Sequence, residues 1–269
     1  MQIFFVLSSL WAISLAKPAV NEEKLPSNYG YAYAVDLDSA TSYQAFSCMR
    51  SYGYRAVFIR GYNPSGMGSF DINCVNNIRN ARQAGLGTEV FMTPQPRSTK
   101  RSSQQFLELY QGLKNANMQV NTIWVQVTSP INWDTNRQQN INFLNEIITT
   151  ANSYGVIIGF YTNAYDWNQI LGTATVDNAM LWYWNVYGGG VSGETAPNFD
   201  DFRQFAKFTR PVAKQFGQVE YLCGVTVNRD VYAVNSLDKS SLSPAMNSKG
   251  QIVIGSFGDK KLTGLVKSL

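Results

Sequence analysis

Strand-like and helix-like segments alternate along this chain from about residue 30 onward. Sustained alternation of this kind favours a parallel sheet covered by helices, and eight strands favour a closed barrel. We therefore predict an α/β fold, an irregular (β/α)8 TIM-like barrel that forms a single domain. The predicted strands are 31–37, 54–60, 88–92, 122–128, 156–161, 180–184 and two shorter candidates at 212–216 and 224–227.

Four amphipathic segments between these strands predict helices. In residues 102–117, for example, Phe106, Leu109, Tyr110 and Leu113 recur at helical spacing. The helices predicted at 71–84 and 136–154 are each followed by glycine, which commonly ends a helix because it adopts a left-handed backbone without strain. The predicted helices are 42–52, 71–84, 102–117 and 136–154.

The two ends of the chain differ from the predicted barrel at residues 30–234. Residues 1–16 are apolar and end with Ser14 and Ala16 at the spacing of a small-residue cleavage site, which predicts a secretory signal peptide. No later run is long and apolar enough to span a bilayer, so we expect a secreted, extracellular protein that does not enter a membrane. Residues 235–269 are rich in Ser, Lys and Gly and predict a loose C-terminal tail, in which 251–254 is a candidate added strand.

The composition excludes several kinds of chemistry. The chain has no histidine, which rules out Ser-His and Cys-His nucleophiles and His-ligated zinc. The net charge is +4, with Lys and Arg scattered along the chain, and this favours no nucleic-acid partner. A weak preference for anionic surfaces such as bacterial walls is compatible with that charge. We predict no cofactor and no metal, and we expect a monomer.

Three cysteines, Cys48, Cys74 and Cys223, occur in this predicted secreted chain, so three disulfide pairings are possible. Strands one and eight are neighbours in a closed barrel. Cys48 lies in the helix after strand one and Cys223 lies just before strand eight, which favours a Cys48–Cys223 disulfide. Cys74 is then expected to be a buried helix residue rather than a reactive thiol.

The stretch 122–133 ends the fourth predicted strand at Ser129-Pro130, because proline cannot continue a central strand. The C-terminal ends of barrel strands open onto the active site in enzymes of this architecture. At this strand end the side chains are Gln126 and Thr128, and neither is a carboxylate.

Asp36 and Asp38 end strand one. Paired carboxylates at a barrel rim are typical of glycosidases, which need an acid and a base or nucleophile. Asp38 precedes a predicted helix and is expected to cap it. Asp36 is better placed for a functional role, but one carboxylate alone cannot perform two-carboxylate hydrolysis.

Aromatic residues are concentrated at the predicted strand ends, and they suit both sugar stacking and ordinary packing. Tyr161, Trp182 and Trp184 are the candidates for substrate binding. In Trp182-Tyr183-Trp184 neighbouring side chains point to opposite faces of the strand, so at least one of them must pack against a helix. We expect Asp36, Gln126, Thr128, Tyr161 and at least one of Trp182 and Trp184 to line one pocket.

Several short segments, taken in order, resemble glycoside hydrolase family 25, and most closely its secreted protist- and nematode-type lysozymes. The resemblance covers about residues 30–234 and implies a partly closed β/α barrel that cleaves the β-1,4 linkage of peptidoglycan. The matching segments are 33–37, Cys48, 58–62, 81–85, 158–162, Trp167, 181–183, 214–215 and 223–224.

Compared residue by residue with the family, this chain keeps one catalytic residue and has different residues at other catalytic positions. The family's strand-one aspartate is retained as Asp36. Its strand-four Asp-x-Glu motif stands here as Gln126-Val127-Thr128, with Thr128 in the place of the proton donor. A family aspartate near strand eight corresponds to Asn228, and Asp230 lies two residues on. A threonine hydroxyl cannot protonate a leaving group at neutral pH.

Three functions follow from this resemblance. The first is a degenerate lysozyme-like protein, weak or inactive as a peptidoglycan hydrolase, that retains a glycan groove and acts in innate defence or in digestion of bacteria. The second is an active lysozyme in which Asp36 works with a rescuing acid such as Asp38, Asp134 or Asp230. The third is a non-catalytic structural or interaction protein. A bacterial cell-wall glycan is the expected partner in the first two.

Overall fold

Eight strands form one closed sheet in the computed structural model, which describes residues 30–234, 246–257 and 261–268. The first strand pairs with both the second and the eighth, so the sheet closes into the predicted barrel. The predicted signal peptide at 1–16 lies outside the described residues. The strands are β1 Tyr31–Leu37, β2 Tyr54–Asn63, β3 Gly87–Met92, β4 Thr122–Gln126, β5 Ile157–Thr162, β6 Met180–Trp184, β7 Ala213–Leu222 and β8 Val225–Ala233.

The last strand, β8, departs from the regular pattern because it runs antiparallel to both of its neighbours, β7 and β1. A two-residue hairpin joins it to β7. Cys223 and Gly224 occupy the turn with φ of 51° and 82°, and two positive φ values in a row suit the right-handed twist of a hairpin. As a result the first half of β8 lies at the barrel end where β1 finishes.

Within the described residues, five α-helices cover the sheet: α1 Tyr43–Ser51, α2 Cys74–Gln83, α3 Ser102–Asn115, α4 Arg137–Ser153 and α5 Ala164–Leu171. The first four confirm the predicted helices with shorter ends. Helix α5 was not predicted, although Asn163 is a recognisable N-cap whose side chain accepts from the Asp166 amide. Between β6 and β7, residues 185–212 contain only a short 3-10 helix at Val191–Gly193, so the barrel is irregular on that side.

Large side chains fill the barrel interior. Phe58, Trp124 and Trp182 are fully buried there, and the rings of Phe58 and Trp182 stack at 4.2 Å. Trp124 fits because its neighbour on β5 is Gly159, where a Cβ atom would lie 2.4 Å from the indole ring. Every second residue of β1 shares this interior face, including Ala34, so Asp36 also points inward at the end of β1.

The segments 246–257 and 261–268, which fall in the predicted tail, pack against the barrel. The predicted added strand is present as Ile252–Ile254 and pairs with Met118–Val120. The Phe257 ring lies 5.7 Å from that of Phe58. The buried Glu89 carboxylate accepts from the Trp124 indole at 2.9 Å and from the Ser256 amide at 2.5 Å. This segment therefore contributes to the barrel core.

A disulfide joins Cys48 in α1 to Cys223 in the β7–β8 turn, with Cα atoms 5.9 Å apart. The predicted pairing is confirmed, and the bond links the first helix to the hairpin at the β8–β1 seam. Cys74 is a free cysteine at the start of α2 and is fully buried, as expected.

Candidate functional site

Two adjoining cavities open at the barrel end where the parallel strands finish, and together we call them the groove. Both are lined by Thr93 and Gln126. The Asp36 cavity has a volume of about 390 Å³ and is lined by Asp36, Leu37, Asp38, Arg60, Phe91, Thr93, Gln126, Tyr161, Val219, Thr226, Val227 and Asn228. The Arg97 cavity has a volume of about 430 Å³ and is lined by Pro64, Ser65, Gly66, Thr93, Pro94, Gln95, Arg97, Gln126, Thr128, Ser129, Asn132 and Trp133.

Asp36 forms the floor of its cavity and is only 4% exposed. Its carboxylate accepts from Gln215 Nε2 at 2.8 Å and from Asn228 Nδ2 at 2.9 Å. Burial raises the pKa of Asp36 to about 6, although both amide donors favour the charged form and oppose that rise. Asp36 is therefore a carboxyl that can hold or release a proton close to neutral pH.

Asp230 lies beneath Asp36, and the two carboxyl groups interact directly. Trp182 Nε1 donates to Asp230 Oδ1 at 2.8 Å. Burial, followed by the neighbouring Asp36 charge, raises the pKa of Asp230 well above its usual range, so Asp230 is the member of the pair that keeps a proton. Because Asp230 is fully buried, it supports Asp36 from below and does not face the groove.

Gln126 and Thr128 form a neutral pair at the end of β4. Gln126 Nε2 donates to Thr128 Oγ1 at 2.9 Å, and Gln126 Oε1 accepts from Thr93 Oγ1 at 2.6 Å. Trp133 Nε1 donates to the Thr128 carbonyl at 3.0 Å and holds the following loop against the strand end. Thr128 lines the Arg97 cavity, whereas Gln126 reaches both cavities.

Asp38 lies at the rim and does not cap α1, contrary to the sequence prediction. Ser42 is the cap, since its hydroxyl accepts from the Ala45 amide at 3.2 Å. The Asp38 carboxylate instead pairs with Arg60 Nη1 at 2.6 Å, and Arg60 Nε pairs with the buried Asp71 at 2.8 Å. Arg60 thus forms ion pairs with two carboxylates at this side of the groove.

Among the aromatic candidates, Tyr161 lines the Asp36 cavity and neither tryptophan lines either cavity. Trp182 is fully buried, and its ring stacks beneath that of Tyr161 at 4.1 Å. Trp184 is half-buried, and its Nε1 donates to Asp166 at 3.0 Å. The prediction that one of Trp182 and Trp184 lines the pocket is therefore wrong for this groove, because the barrel interior and Asp166 hold their rings.

Asn228 and Asp134, two further candidates from the sequence, lie in different parts of the structure. Asn228, the residue that the resemblance places at a family aspartate, lines the Asp36 cavity from β8. Asp134 lies in the exposed loop before α4, where its carboxylate accepts from the Asn136 amide at 2.7 Å, and it lines neither cavity. Asp134 is therefore not placed to rescue Asp36.

Three residues of the site were not singled out from the sequence. Gln215 in β7 binds Asp36 and also accepts from the Tyr161 hydroxyl at 3.0 Å. Asp166 in α5 holds Trp184 and also accepts from the Ser129 amide. Arg97 belongs to the loop after β3 and lines the second cavity of the groove. A polar residue inside a predicted strand was the available signal for Gln215, whereas Arg97 carried none.

The described residues were compared with the requirements of a metal site and of a membrane-spanning helix. Among the residues that the structure describes, no group of three or more His, Cys, Asp or Glu side chains is placed to hold a metal ion. None of the helices in the described ranges is long and apolar enough to cross a membrane.

Comparisons with solved structures identify the fold. The chain is similar to a family GH25 lysozyme from Aspergillus fumigatus, with a TM-score of 0.59 and 14% identity, over 77% of this chain and 96% of that one. It is also similar to a family 25 glycosyl hydrolase from Bacillus anthracis, with a TM-score of 0.58 and 14% identity, over 82% and 97% of the two chains.

Sequence comparisons identify the family. The family described as Lysozyme-like protein 1 matches residues 27–216. "Lysozyme-like protein 7" of Caenorhabditis elegans is 49% identical over 90% of this chain and 84% of that protein. "Probable GH family 25 lysozyme 2" of Dictyostelium discoideum is 29% identical over 74% and 89% of the two chains. Together with the barrel and its groove, these matches show that the chain belongs to the lysozyme-like proteins of glycoside hydrolase family 25.

Proposed function

We propose that this protein binds peptidoglycan glycan in the groove and has little or no glycosidase activity. One observation carries the proposal: at the end of β4 the groove presents a neutral pair, Gln126 and Thr128, hydrogen-bonded to each other. The carboxylates that line the two cavities are Asp36 and Asp38, both from the end of β1. The family to which the chain belongs supports peptidoglycan as the ligand.

The chemistry of glycoside hydrolysis explains why this arrangement favours binding. A proton must reach the glycosidic oxygen as the bond breaks, and a carboxylate must stabilise the cation or form a covalent intermediate. Thr128 cannot donate that proton at neutral pH, and Gln126 carries no charge. The Asp38 carboxylate lies at the exposed rim and is engaged in an ion pair with Arg60. Asp36 would therefore have to donate the proton and also stabilise the cation, and one carboxyl group cannot do both at once.

A second candidate function is slow hydrolysis with Asp36 as the proton donor. It is favoured by the pKa of about 6 that burial gives Asp36, since a general acid works best when its pKa lies near the working pH. In this case Asp38 is the other carboxylate that lines the same cavity. The activity would then be greatest below pH 6 and would disappear in Asp36→Asn.

We further propose that the protein acts outside the cell, in defence against bacteria or in their digestion. The apolar segment 1–16 and the Cys48–Cys223 disulfide support secretion, because disulfides persist in oxidising compartments. Immunodetection of the processed chain in the culture medium of secreting cells tests this part. A chain that stays in the cytoplasm with residues 1–16 attached would contradict it.

The glycan-binding proposal is tested by sedimenting the purified protein with insoluble peptidoglycan and by following the turbidity of bacterial walls. We expect the protein to sediment with peptidoglycan and to clear the walls no faster than buffer, with an active lysozyme as the positive control. Thr93→Trp fills the groove between the two cavities and should abolish sedimentation. Thr173→Trp, in the exposed turn after α5, is the matched control. Wild type that does not sediment would favour the structural or interaction role.

A further inference from the structure

The Arg97 cavity differs in charge from the Asp36 cavity beside it. We propose that it binds a carboxylate substituent of the glycan, so that the groove selects acidic peptidoglycan over an uncharged polysaccharide such as chitin. This inference rests on the proposed glycan-binding function and specifies its ligand. The residue that recognises the acid is Arg97.

Arg97 is held in place at the edge of its cavity. Its Nη2 donates to the Trp133 carbonyl at 3.2 Å, and Trp133 is fixed in turn by its indole bond to the Thr128 carbonyl. The Arg97 amide donates to Gln95 Oε1 at 3.3 Å, and Gln95 Nε2 donates to the Pro64 carbonyl at 2.9 Å. The loop after β4 therefore holds the guanidinium through one hydrogen bond, and Gln95 holds the Arg97 backbone against the loop after β2. Both contacts reduce the entropy that Arg97 loses on binding a ligand.

The charge of Arg97 is left without an acidic partner. The groove is lined by two cations, Arg60 and Arg97. Arg60 is paired with Asp38 and Asp71. Arg97 makes no ion pair within the described ranges, and no acidic residue lines its cavity. Its planar fork of N–H donors matches the geometry of a carboxylate, so an acidic ligand would complete a pair that the chain itself does not supply.

The neutral pair at the end of β4 strengthens this preference. Gln126 and Thr128 both line the Arg97 cavity. Carboxylates at these positions would lower the net positive charge of the cavity and weaken its attraction for an acidic ligand. The same replacements that remove hydrolytic groups therefore leave a cavity with one uncompensated positive charge. An amide and a hydroxyl remain to hydrogen-bond a sugar.

The dimensions suit a sugar with an acidic branch. A cavity of about 430 Å³ is within the range of small-molecule sites, and Thr93 and Gln126 join it to the Asp36 cavity. A sugar ring over Asp36 and Tyr161 can thus place its substituent beside Arg97. Muramic acid carries such a branch, either as a free lactyl carboxylate or as a peptide stem that ends in carboxylates. Chitin has no acidic group to offer.

The test is calorimetric titration of the full-length protein with four tetrasaccharides. The probes are chitotetraose, a GlcNAc–MurNAc tetrasaccharide with free lactyl acids, its lactyl methylamide, and the same sugar carrying an L-Ala-D-isoGlu stem. We expect the acidic probes to bind about 10-fold more tightly than the two neutral ones, as for loss of one hydrogen bond to a charged group. Whichever acidic probe binds more tightly identifies the lactyl acid or the stem as the source.

The matched variants are Arg97→Gln and Arg79→Gln, the second on the exposed face of α2. Arg97→Gln should lower the affinity for the acidic probes to that of the neutral ones, and Arg79→Gln should change nothing. Equal binding of acidic and neutral probes by wild type would overturn the inference and leave the groove as a glycan site. Acid-selective binding that survives Arg97→Gln would also overturn it. Wild type that binds none of the probes would overturn both proposals together.

Discussion

Asn228 Nδ2 donates to Asp36 Oδ1 at 2.9 Å across the antiparallel seam where β8 meets β1. The same side chain accepts from the Val219 amide at 2.9 Å through its Oδ1. Val219 lies in the β7 bulge with φ of 55°, a left-handed conformation that β-branched residues rarely adopt. Asn228 thus links the groove carboxylate to a strained bulge that forms one wall of the same cavity.

We expect Asn228→Asp to destabilise the protein more at pH 8 than at pH 5. An aspartate keeps an acceptor for Val219 but replaces the donor to Asp36 with a second negative charge, which raises the pKa of Asp36 further above about 6. A carboxyl whose pKa is raised by folding contributes stability that is lost as the pH rises through the folded value. The expected loss is about 1–3 kcal/mol in the free energy of unfolding at pH 8, measured in urea.

Asn142→Asp, on the exposed face of α4, is the control for this prediction because it changes the net charge equally. It should leave the free energy of unfolding nearly unchanged at both pH values. A loss in Asn228→Asp that is the same at pH 5 and pH 8 would mean that repulsion at Asp36 is not its cause.

We expect the double variant Gln126→Asp/Thr128→Glu to clear bacterial walls faster than wild type by at least about 100-fold. The glutamate restores a proton donor, which is typically worth about 10²- to 10⁴-fold, and the aspartate restores negative charge for the developing cation. The contributions need not multiply, because the two groups act as a unit. The measurement is the initial rate of turbidity loss.

Asp36→Asn in the double-variant background is the control, and it should remove the gain if the restored groups act with Asp36. Wild type that already clears walls as fast as the double variant would contradict the proposed loss of activity. In that case slow hydrolysis through Asp36 becomes the better explanation.

We expect removal of the disulfide, as Cys48→Ala/Cys223→Ala, to cost about 2–5 kcal/mol in the free energy of unfolding. The bond closes a loop with a sequence separation of 175 and holds the turn before β8 against α1. Urea unfolding of wild type and variant, each with and without reductant, provides the measurement. The reductant should lower the stability of wild type alone, and an equal response in both would show that it acts through something other than this disulfide.

We expect Glu89→Gln to flatten the dependence of stability on pH between about 4.5 and 7. Burial raises the pKa of Glu89 to about 7, although donors from Ser256, Trp124 and Phe257 oppose the rise. The folded protein therefore binds a proton more tightly than the unfolded chain in this window. Wild type should lose up to about 1.4 kcal/mol per pH unit from this group as the pH rises.

Glutamine at position 89 removes the titration and keeps an acceptor for Trp124. The free energy of unfolding is measured in urea at pH 5, 6, 7 and 8. Relative to wild type, the stability of the variant should rise toward pH 7 and then level off. A constant difference across the series would exclude Glu89 as a source of the pH dependence. Glu108→Gln, at the partly exposed ion pair with Lys100, is the comparison variant.

The sequence determined the barrel, the face of β1 whose side chains point into the barrel, and the disulfide. These depend on periodicity and chain order: strands and helices alternate, Asp36 lies on the same face as Ala34, and the first and last strands must meet when a barrel closes. The neutral character of Gln126 and Thr128 was also readable, because it is a matter of residue type and place at a strand end. None of this required knowledge of which distant side chains meet.

Tertiary structure decided the environment of each side chain. Alternation in Trp182-Tyr183-Trp184 predicted opposite faces, but only barrel closure placed Trp182 inside, under Tyr161 and against Asp230. The two-residue turn that reverses β8 brought Asn228 to Asp36, which periodicity could not foresee. The position of the Arg97 guanidinium likewise depends on a contact with Trp133, which lies in the loop after a different strand. Burial, pKa and charge compensation arise from contacts between residues far apart in the chain, and only the folded barrel determines those contacts.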